Sequence, residues 1–344
     1  ADQKAGGDPG LIRLALNTIG TFNFHDIQLL WFVCQCLIRY LDHPSVDVRE
    51  AAAVACSNLL LRPRDPSLAK NLRKSHYRAM VYRVLEQLLT VGIVDPMFRI
   101  RETVIQSLKP RFDDFLAQAE NLHALFVALN DEKFVIRAAA MRVIGRLALR
   151  NPAHVMPSLR KTLIGLLTDM QCGADARSRE QSCRLLGHLV ESSDLLTKPY
   201  LPAILKVLLP GLRDKDPGLV SCVVETIGKL EQVGGEALKP YLPKLLTFLL
   251  NRLAHRGQPI DRAVLLRALG KLVRSTGCVI QPYLDYPDLL PTLLRVLSSE
   301  PRWEARIEVV KLLGILGALD PFRHKMNEAA LRHRLEAAKR KGPT

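Results

Sequence analysis

Apolar side chains recur three and four positions apart along most of the chain, the spacing that places them on one face of an α-helix. One such run is Ile27, Leu30, Trp31, Cys34, Ile38 and Leu41; another is Ile136, Ala140, Val143, Ile144 and Leu147. Each predicts a helix that buries one stripe and wets the other. Prolines punctuate the pattern. Lys198-Pro199-Tyr200-Leu201-Pro202 is followed 41 residues later by Lys239-Pro240-Tyr241-Leu242-Pro243, and then by Gln281-Pro282-Tyr283-Leu284. Asn151-Pro152 stands in the same place further upstream. Proline suits the first turn of a helix, where its missing N–H would have no partner in any case, so each of these predicts a helix start.

A second pattern shows that the helices come in copies. An arginine is followed eight residues later by a glycine among Leu, Ile and Val: Arg137/Gly145, Arg179/Gly187, Arg262/Gly270 and Arg306/Gly314. Gly228 continues the series with Val220 at the arginine position, and successive glycines lie 42, 41, 42 and 44 residues apart. Weaker copies begin at Ile12 (closing at Gly20), Arg49 and Arg101. Eight copies of one helix, each preceded by a first helix and a polar turn, match the roughly 40-to-47-residue period of HEAT and armadillo repeats. The predicted fold is therefore all-α: a right-handed α-solenoid (superhelix) of about eight helical hairpins over residues 1–327, with an insertion loop near 61–75 and a basic helical tail or linker over 328–344. The array starts inside a repeat, which reads as a piece of something longer.

The recurring residues suggest structural roles. A glycine at one helical position, unfavourable by about 1 kcal/mol in propensity, predicts close helix crossings at Gly145, Gly187, Gly228, Gly270 and Gly314. An acid sits six residues before the arginine position at Asp95, Asp131, Asp214 and Glu300. Such an aspartate would cap the following helix, and an arginine of the neighbouring repeat would bond it. The expected result is a ladder through Asp95, Arg101, Asp131, Arg137, Arg179, Asp214, Arg262 and Arg306.

Composition narrows the functional classes. The chain has 344 residues, 48% hydrophobic and only 6% aromatic, which suits packed helices. It exceeds the roughly 250 to 300 residues of a single compact core, leaving two globules or one elongated array. No secretory leader opens it. Its seven cysteines, an odd number mostly in apolar helical stretches, read as small buried hydrophobes of a reducing compartment, the cytosol or nucleus. The net charge of +15 reflects either an acidic partner, nucleic acid or an anionic membrane surface, or arginine-coated solvent faces. Its densest stretch, Arg62, Arg64, Lys70, Arg73, Lys74 and Arg78, is a candidate patch for an acidic protein surface, with nucleic acid the weaker reading for want of an aromatic platform.

Catalytic chemistry finds no footing. There is no Gly-x-x-x-x-Gly-Lys-Ser/Thr phosphate loop, no His-Arg-Asp or Asp-Phe-Gly kinase element, no His-Glu-x-x-His and no Cys-x-x-Cys. Cys34-Gln35-Cys36 is spaced too closely for a usual zinc site. His188 on an apolar face reads as a packed histidine, and Asp113-Asp114 as a solvated helix end. No catalytic, cofactor-binding or metal-ligating residue is assigned, and no cofactor is expected.

Several segments go beyond a generic repeat. They are Phe115 to Asp131 (FLAQAENLHALFVALND), Asn151 to Lys161 (NPAHVMPSLRK), Glu180 to Val190 (EQSCRLLGHLV), Ser275 to Tyr283 (STGCVIQPY) and Leu312 to Lys325 (LLGILGALDPFRHK). In content and order they resemble the amino-terminal HEAT region of the target of rapamycin (TOR) serine/threonine protein kinases, over about residues 10 to 327. The resemblance implies a protein-binding scaffold in nutrient and growth signalling. It would dock partner subunits, chiefly Raptor in the first TOR complex, and other parts of the TOR dimer. The kinase, rapamycin-binding and FAT segments of that family lie far downstream. It also implies work in the cytoplasm, with recruitment to lysosomal or vacuolar surfaces through partners. A free-standing HEAT adaptor, such as a phosphatase scaffold or transport receptor, is the alternative. A HEAT-like DNA glycosylase is a third.

Overall fold

The computed structural model describes residues 8–22, 30–60, 75–254 and 261–316, together with Ala329 and Arg332. Every described element is helical. The chain divides into two compact units, Ala1–Thr162 and Leu163–Thr344.

The first unit contains α1 (Pro9–Thr21) and α2 (Leu30–Phe32), which continues through a π-helical stretch (Val33–Leu37) into a 3-10 turn (Ile38–Asp42). Then follow α3 (Val46–Leu60), α4 (Ser75–Val94), α5 (Phe98–Ser107), α6 (Asp113–Leu116), α7 (Ala119–Ala128) and α8 (Phe134–Leu147). The division between the units falls within α9 (Pro152–Cys172). The second unit contains α10 (Ala176–Ser192), α11 (Asp194–Gly211), α12 (Pro217–Lys229), α13 (Glu231–Gly234) and α14 (Leu242–Ala254). It ends with α15 (Arg262–Thr276), α16 (Gln281–Asp285), α17 (Leu289–Ser299) and α18 (Trp303–Ile315).

Packing follows the repeat. In the first unit the second helices stack in series, α1 on α3, α3 on α5 and α5 on α8, while α4 backs α5 and α7 backs α8. In the second unit α10 packs on α12, α12 on α15 and α15 on α18, backed by α11, α14 and α17. The side chains between them, such as Leu85, Leu88, Ile100, Ile105, Leu205, Leu265 and Leu269, are fully buried. Each contributes about 1.5–3 kcal/mol over its exposed state. Ile136, Ala140, Val143, Ile144 and Leu147 are all buried in α8, as their spacing requires.

Trp31 is 65% exposed, while Leu30, Val33, Cys34, Leu37 and Leu41 form the buried stripe. Residues 31, 34, 38 and 41 and residues 30, 33, 37 and 41 are both spaced as a helical face, so periodicity alone did not choose between them. Pro199 and Pro202 lie inside α11, which starts earlier at Asp194. Pro152 and Pro282 do stand at the first turn of α9 and α16. The expected loop near 61–75 falls outside the described residues except for Ser75, which begins α4. The tail over 328–344 also falls outside them, apart from Ala329 and Arg332.

Candidate functional site

The arginine positions and the turn acids meet across repeats. In the first unit Arg49, on α3, donates from Nε to Asp95 at 2.8 Å and from Nη2 at 3.2 Å. Arg101, on α5, holds Asp131 the same way at 2.8 and 3.1 Å. In the second unit Arg179 reaches Asp214 at 2.6 Å and Arg262 reaches Glu300 at 2.7 Å. Each arginine thus grips the acid of the following turn.

The same guanidinium also closes its own turn. Nη1 of Arg101 donates to the Asp95 and Pro96 carbonyls at 2.7 and 3.4 Å, and Nη1 of Arg137 to those of Asp131 and Glu132 at 2.8 and 3.2 Å. The bonds therefore run without interruption from Arg49 through Asp95, Arg101 and Asp131 to Arg137. Arg49 shows the pattern as clearly as the strong copies, although Ser57 replaces its glycine. Arg306 is exposed, with no ion-pair partner among the described residues.

The acids do not cap helices as the sequence suggested. Asp95, Asp131 and Asp214 each accept the N–H two residues on, from Met97, Lys133 and Asp216, at 2.8, 2.8 and 3.0 Å. That bond closes an Asx turn ahead of the helix. Capping falls to other aspartates: Asp175, Asp216 and Asp261 accept from the first-turn amides of α10, α12 and α15.

Burial makes these pairs matter. The side chains of Arg101 and Asp131 are each 8% exposed. Burial alone would push the Asp131 carboxyl up, but Arg101, the Lys133 amide and the Arg137 charge together hold it below the ordinary carboxylate range. Asp214 is held low chiefly by the Asp216 amide and then by Arg179, against some burial. Arg101 is pushed up by its bond to Asp131. Unfolded carboxyls take up protons at about pH 4. The folded ones do so only at lower pH, so this stabilisation is complete above about pH 5 and is lost as pH falls through the folded values. Asp131→Asn is accordingly expected to melt below the wild type at pH 7. The gap should close below about pH 4, as followed by circular dichroism at stepped pH.

The glycines fall into three groups. A Cβ on Gly20 or Gly228 would lie 3.0 or 3.3 Å from the Ala55 or Ala268 Cα, and one on Gly187 would lie 3.1 Å from Thr226 Oγ1. These are close crossings. Gly145 is buried in α8. Gly270 would make only ordinary contacts, the nearest 3.5 Å away, and Gly314 none within 4 Å. A close crossing at Gly270 and Gly314 is therefore corrected: the facing side chains, Ile315 and Leu312 at Gly270, stand further off.

Of the basic patch, Arg62, Arg64, Lys70, Arg73 and Lys74 lie outside the described residues, and Arg78 is exposed on α4. Asp113 is not a solvated helix end. It is buried at the start of α6, and Arg146 of α8 clamps it with bonds of 2.7 and 2.8 Å. Asp114 is exposed and pairs with Arg150 at 3.3 Å. Cys34, Cys56, Cys183 and Cys222 are buried, whereas Cys36 and Cys278 are half-buried and Cys172 is exposed at the end of α9. Burial pushes the Cys56 thiol up to about 12. Cys222, also a free thiol, is pushed up by its hydrogen bond with the Cys183 thiol and by burial. Both stay protonated and unreactive at neutral pH. Among the described residues no group of three His, Cys, Asp or Glu could hold a metal, and no helix is long and apolar enough to cross a membrane.

Large apolar side chains stay exposed on the first helices of the second unit: Ile164 on α9, Leu195 on α11, and Leu290 with Leu294 on α17. In each unit the second helices stack in series, backed by first helices, and this defines a class, the all-helical repeat stack. Solved structures agree on the fold. The karyopherin Kap121p is similar with a TM-score of 0.57, over 90% of this chain and 36% of that one, at 12% identity. Kap121p bound to the extreme C-terminus of the protein phosphatase Cdc14p gives 0.56, over 90% and 37%, also at 12% identity.

Sequence gives the family. The serine/threonine-protein kinase tor1 of Schizosaccharomyces pombe is 43% identical over 330 residues, 95% of this chain and 14% of tor1. The serine/threonine-protein kinase mTor of Drosophila melanogaster is 40% identical over 329 residues, 94% of this chain and 13% of mTor. Residues 279–343 match the family described as the serine/threonine-protein kinase mTOR domain. The chain belongs to the TOR kinase family, as a stretch of its amino-terminal HEAT region, and spans about one seventh of the length of these relatives. Every element among the described residues is helical, and none forms a kinase fold.

Proposed function

We propose that the chain is a partner-docking scaffold segment of a TOR-family kinase, working in the cytoplasm in growth signalling, with a Raptor-like subunit among its partners. The observation that carries the reading is that helices tied together by partly buried ion pairs still present large apolar side chains to solvent. The second helices are bound to one another through Arg49, Arg101, Arg179 and Arg262. In the second unit Ile164, Leu195, Leu290 and Leu294 on first helices, and Trp303, Ile307 and Val310 on α18, stand in solvent. Rigid repeats with exposed apolar side chains suit a binding platform, where a few buried anchors supply most of the affinity. Kap121p, similar in fold, is itself seen bound to a protein segment. Likeness to TOR kinases over nearly the whole chain favours the kinase segment over a free-standing adaptor. Deleting the segment from the full kinase is expected to abolish co-precipitation of the Raptor-like subunit. Undiminished recovery would refute that role.

A further inference from the structure

The second unit contains an open groove of about 870 Å³ between the C-terminal end of α11 and α14. Its size is in the range of pockets that enclose small ligands or a few side chains. Leu209, Pro210 and Phe248 supply an apolar floor, and Arg213, Lys244 and Asn251 stand around it. Among the described residues no acidic side chain lines it. Arg213 and Lys244 are both exposed, and neither has an ion-pair partner among the described residues. Asp214, next to Arg213 in sequence, is taken up by Arg179 at 2.6 Å.

The wall is held in place. The Tyr286 hydroxyl, from the turn before α17, donates to the Pro243 carbonyl at 3.0 Å and lies 2.9 Å from Thr247 Oγ1. Thr247 Oγ1 donates to the same carbonyl at 2.8 Å. A groove fixed before binding loses less conformational entropy when it is filled.

We propose that this groove binds an acidic peptide segment, with one apolar side chain on the floor and carboxylates at Arg213 and Lys244. The inference deepens the scaffold reading and rests on it. Two cations suit a short run of carboxylates. A nucleic-acid backbone would call for more cations and for open aromatic faces. Phe248 offers no such face: it is half-buried, with the Arg252 guanidinium 5.4 Å from its ring centre.

The test is fluorescence anisotropy on the full chain, with a fluorescein-labelled peptide of leucines set among aspartates and glutamates. Saturable binding is expected. It should weaken about tenfold in the double variant Arg213→Glu with Lys244→Glu, each lost exposed pair contributing modestly. A matched double variant, Lys161→Glu with Arg177→Glu, changes two exposed cations outside the groove and should leave binding intact. Unchanged melting of both variants shows that folding is preserved. Equal weakening by the two variants would overturn the proposal, since net charge alone would explain it. Absence of saturable binding would also overturn it, as would oligothymidylate binding with the same dependence on Arg213 and Lys244. If the deletion removes the Raptor-like subunit while the peptide ignores Arg213 and Lys244, only the groove fails. The converse pair of results sinks the Raptor role and leaves the groove.

Discussion

Arg101→Ala is expected to destabilise the first unit by about 3 kcal/mol, because it strips a largely buried carboxylate of the guanidinium that holds it with two bonds. Asp131 would keep the Lys133 amide at 2.8 Å and the nearby Arg137 charge, and the Asp95 carbonyl would lose its 2.7 Å bond. With both side chains of the pair 8% exposed, water cannot step in without opening the α5–α8 packing. For a unit of this size the loss corresponds to about 6 to 12 °C in melting temperature. Arg101→Lys keeps the charge but cannot make two parallel bonds, so it should fall between the two. Arg99→Ala is the internal control. Arg99 is 60% exposed and meets Glu50 at 3.3 Å, a pair expected to contribute less than about 1 kcal/mol. Equal melting of Arg101→Ala and Arg99→Ala would contradict the role given to the buried pair.

Arg146→Ala is the second large effect, again about 3 kcal/mol. Asp113 has a side chain only 6% exposed, and the Arg146 guanidinium is its charge partner at 2.7 Å. The reverse substitution should be milder. In Asp113→Ala the guanidinium, 29% exposed, keeps access to water and to the Leu108 carbonyl, which it already meets at 3.0 Å. Adding Asp113→Asn to Arg146→Ala should recover much of the loss, because a neutral amide costs far less to bury than a carboxylate. Thermal melts of the three variants decide it. An Arg146→Ala protein as stable as Asp113→Ala would show that Asp113 is not desolvated.

Much of the framework could be read from the chain because it repeats. The eight-residue step from Arg137 to Gly145 places both residues on one helix, and its recurrence at Arg179, Arg262 and Arg306 fixes the register of the second helices without any long-range information. The turn acids were visible for the same reason. What spacing could not show was which carboxylate each arginine reaches. Arg101 and Asp131 are 30 residues apart, whereas Arg49 and Asp95 are 46 apart. Connection lengths vary, so partnership depends on how hairpins stack.

Asp113 was hidden for a related reason. The short α6 interrupts its repeat, and its partner lies 33 residues away on α8. Trp31 was misplaced because two faces of one helix satisfy the same spacing. Tertiary contact, which the sequence does not encode locally, chose Val33 and Leu37. The groove left no trace in any motif. Leu209 and Phe248 come from separate hairpins, and neither is unusual in its own helix.

The most direct test of the interlocked repeats is a double-mutant cycle on Arg101 and Asp131, with stabilities from urea melts of the wild type, both single alanine variants and the double. A true rung between neighbouring repeats predicts that the double variant loses less than the sum of the singles, with a coupling of about 1.5–3 kcal/mol. Losses that add to within about 0.5 kcal/mol would mean that the two side chains stabilise the fold independently, and would contradict the ladder.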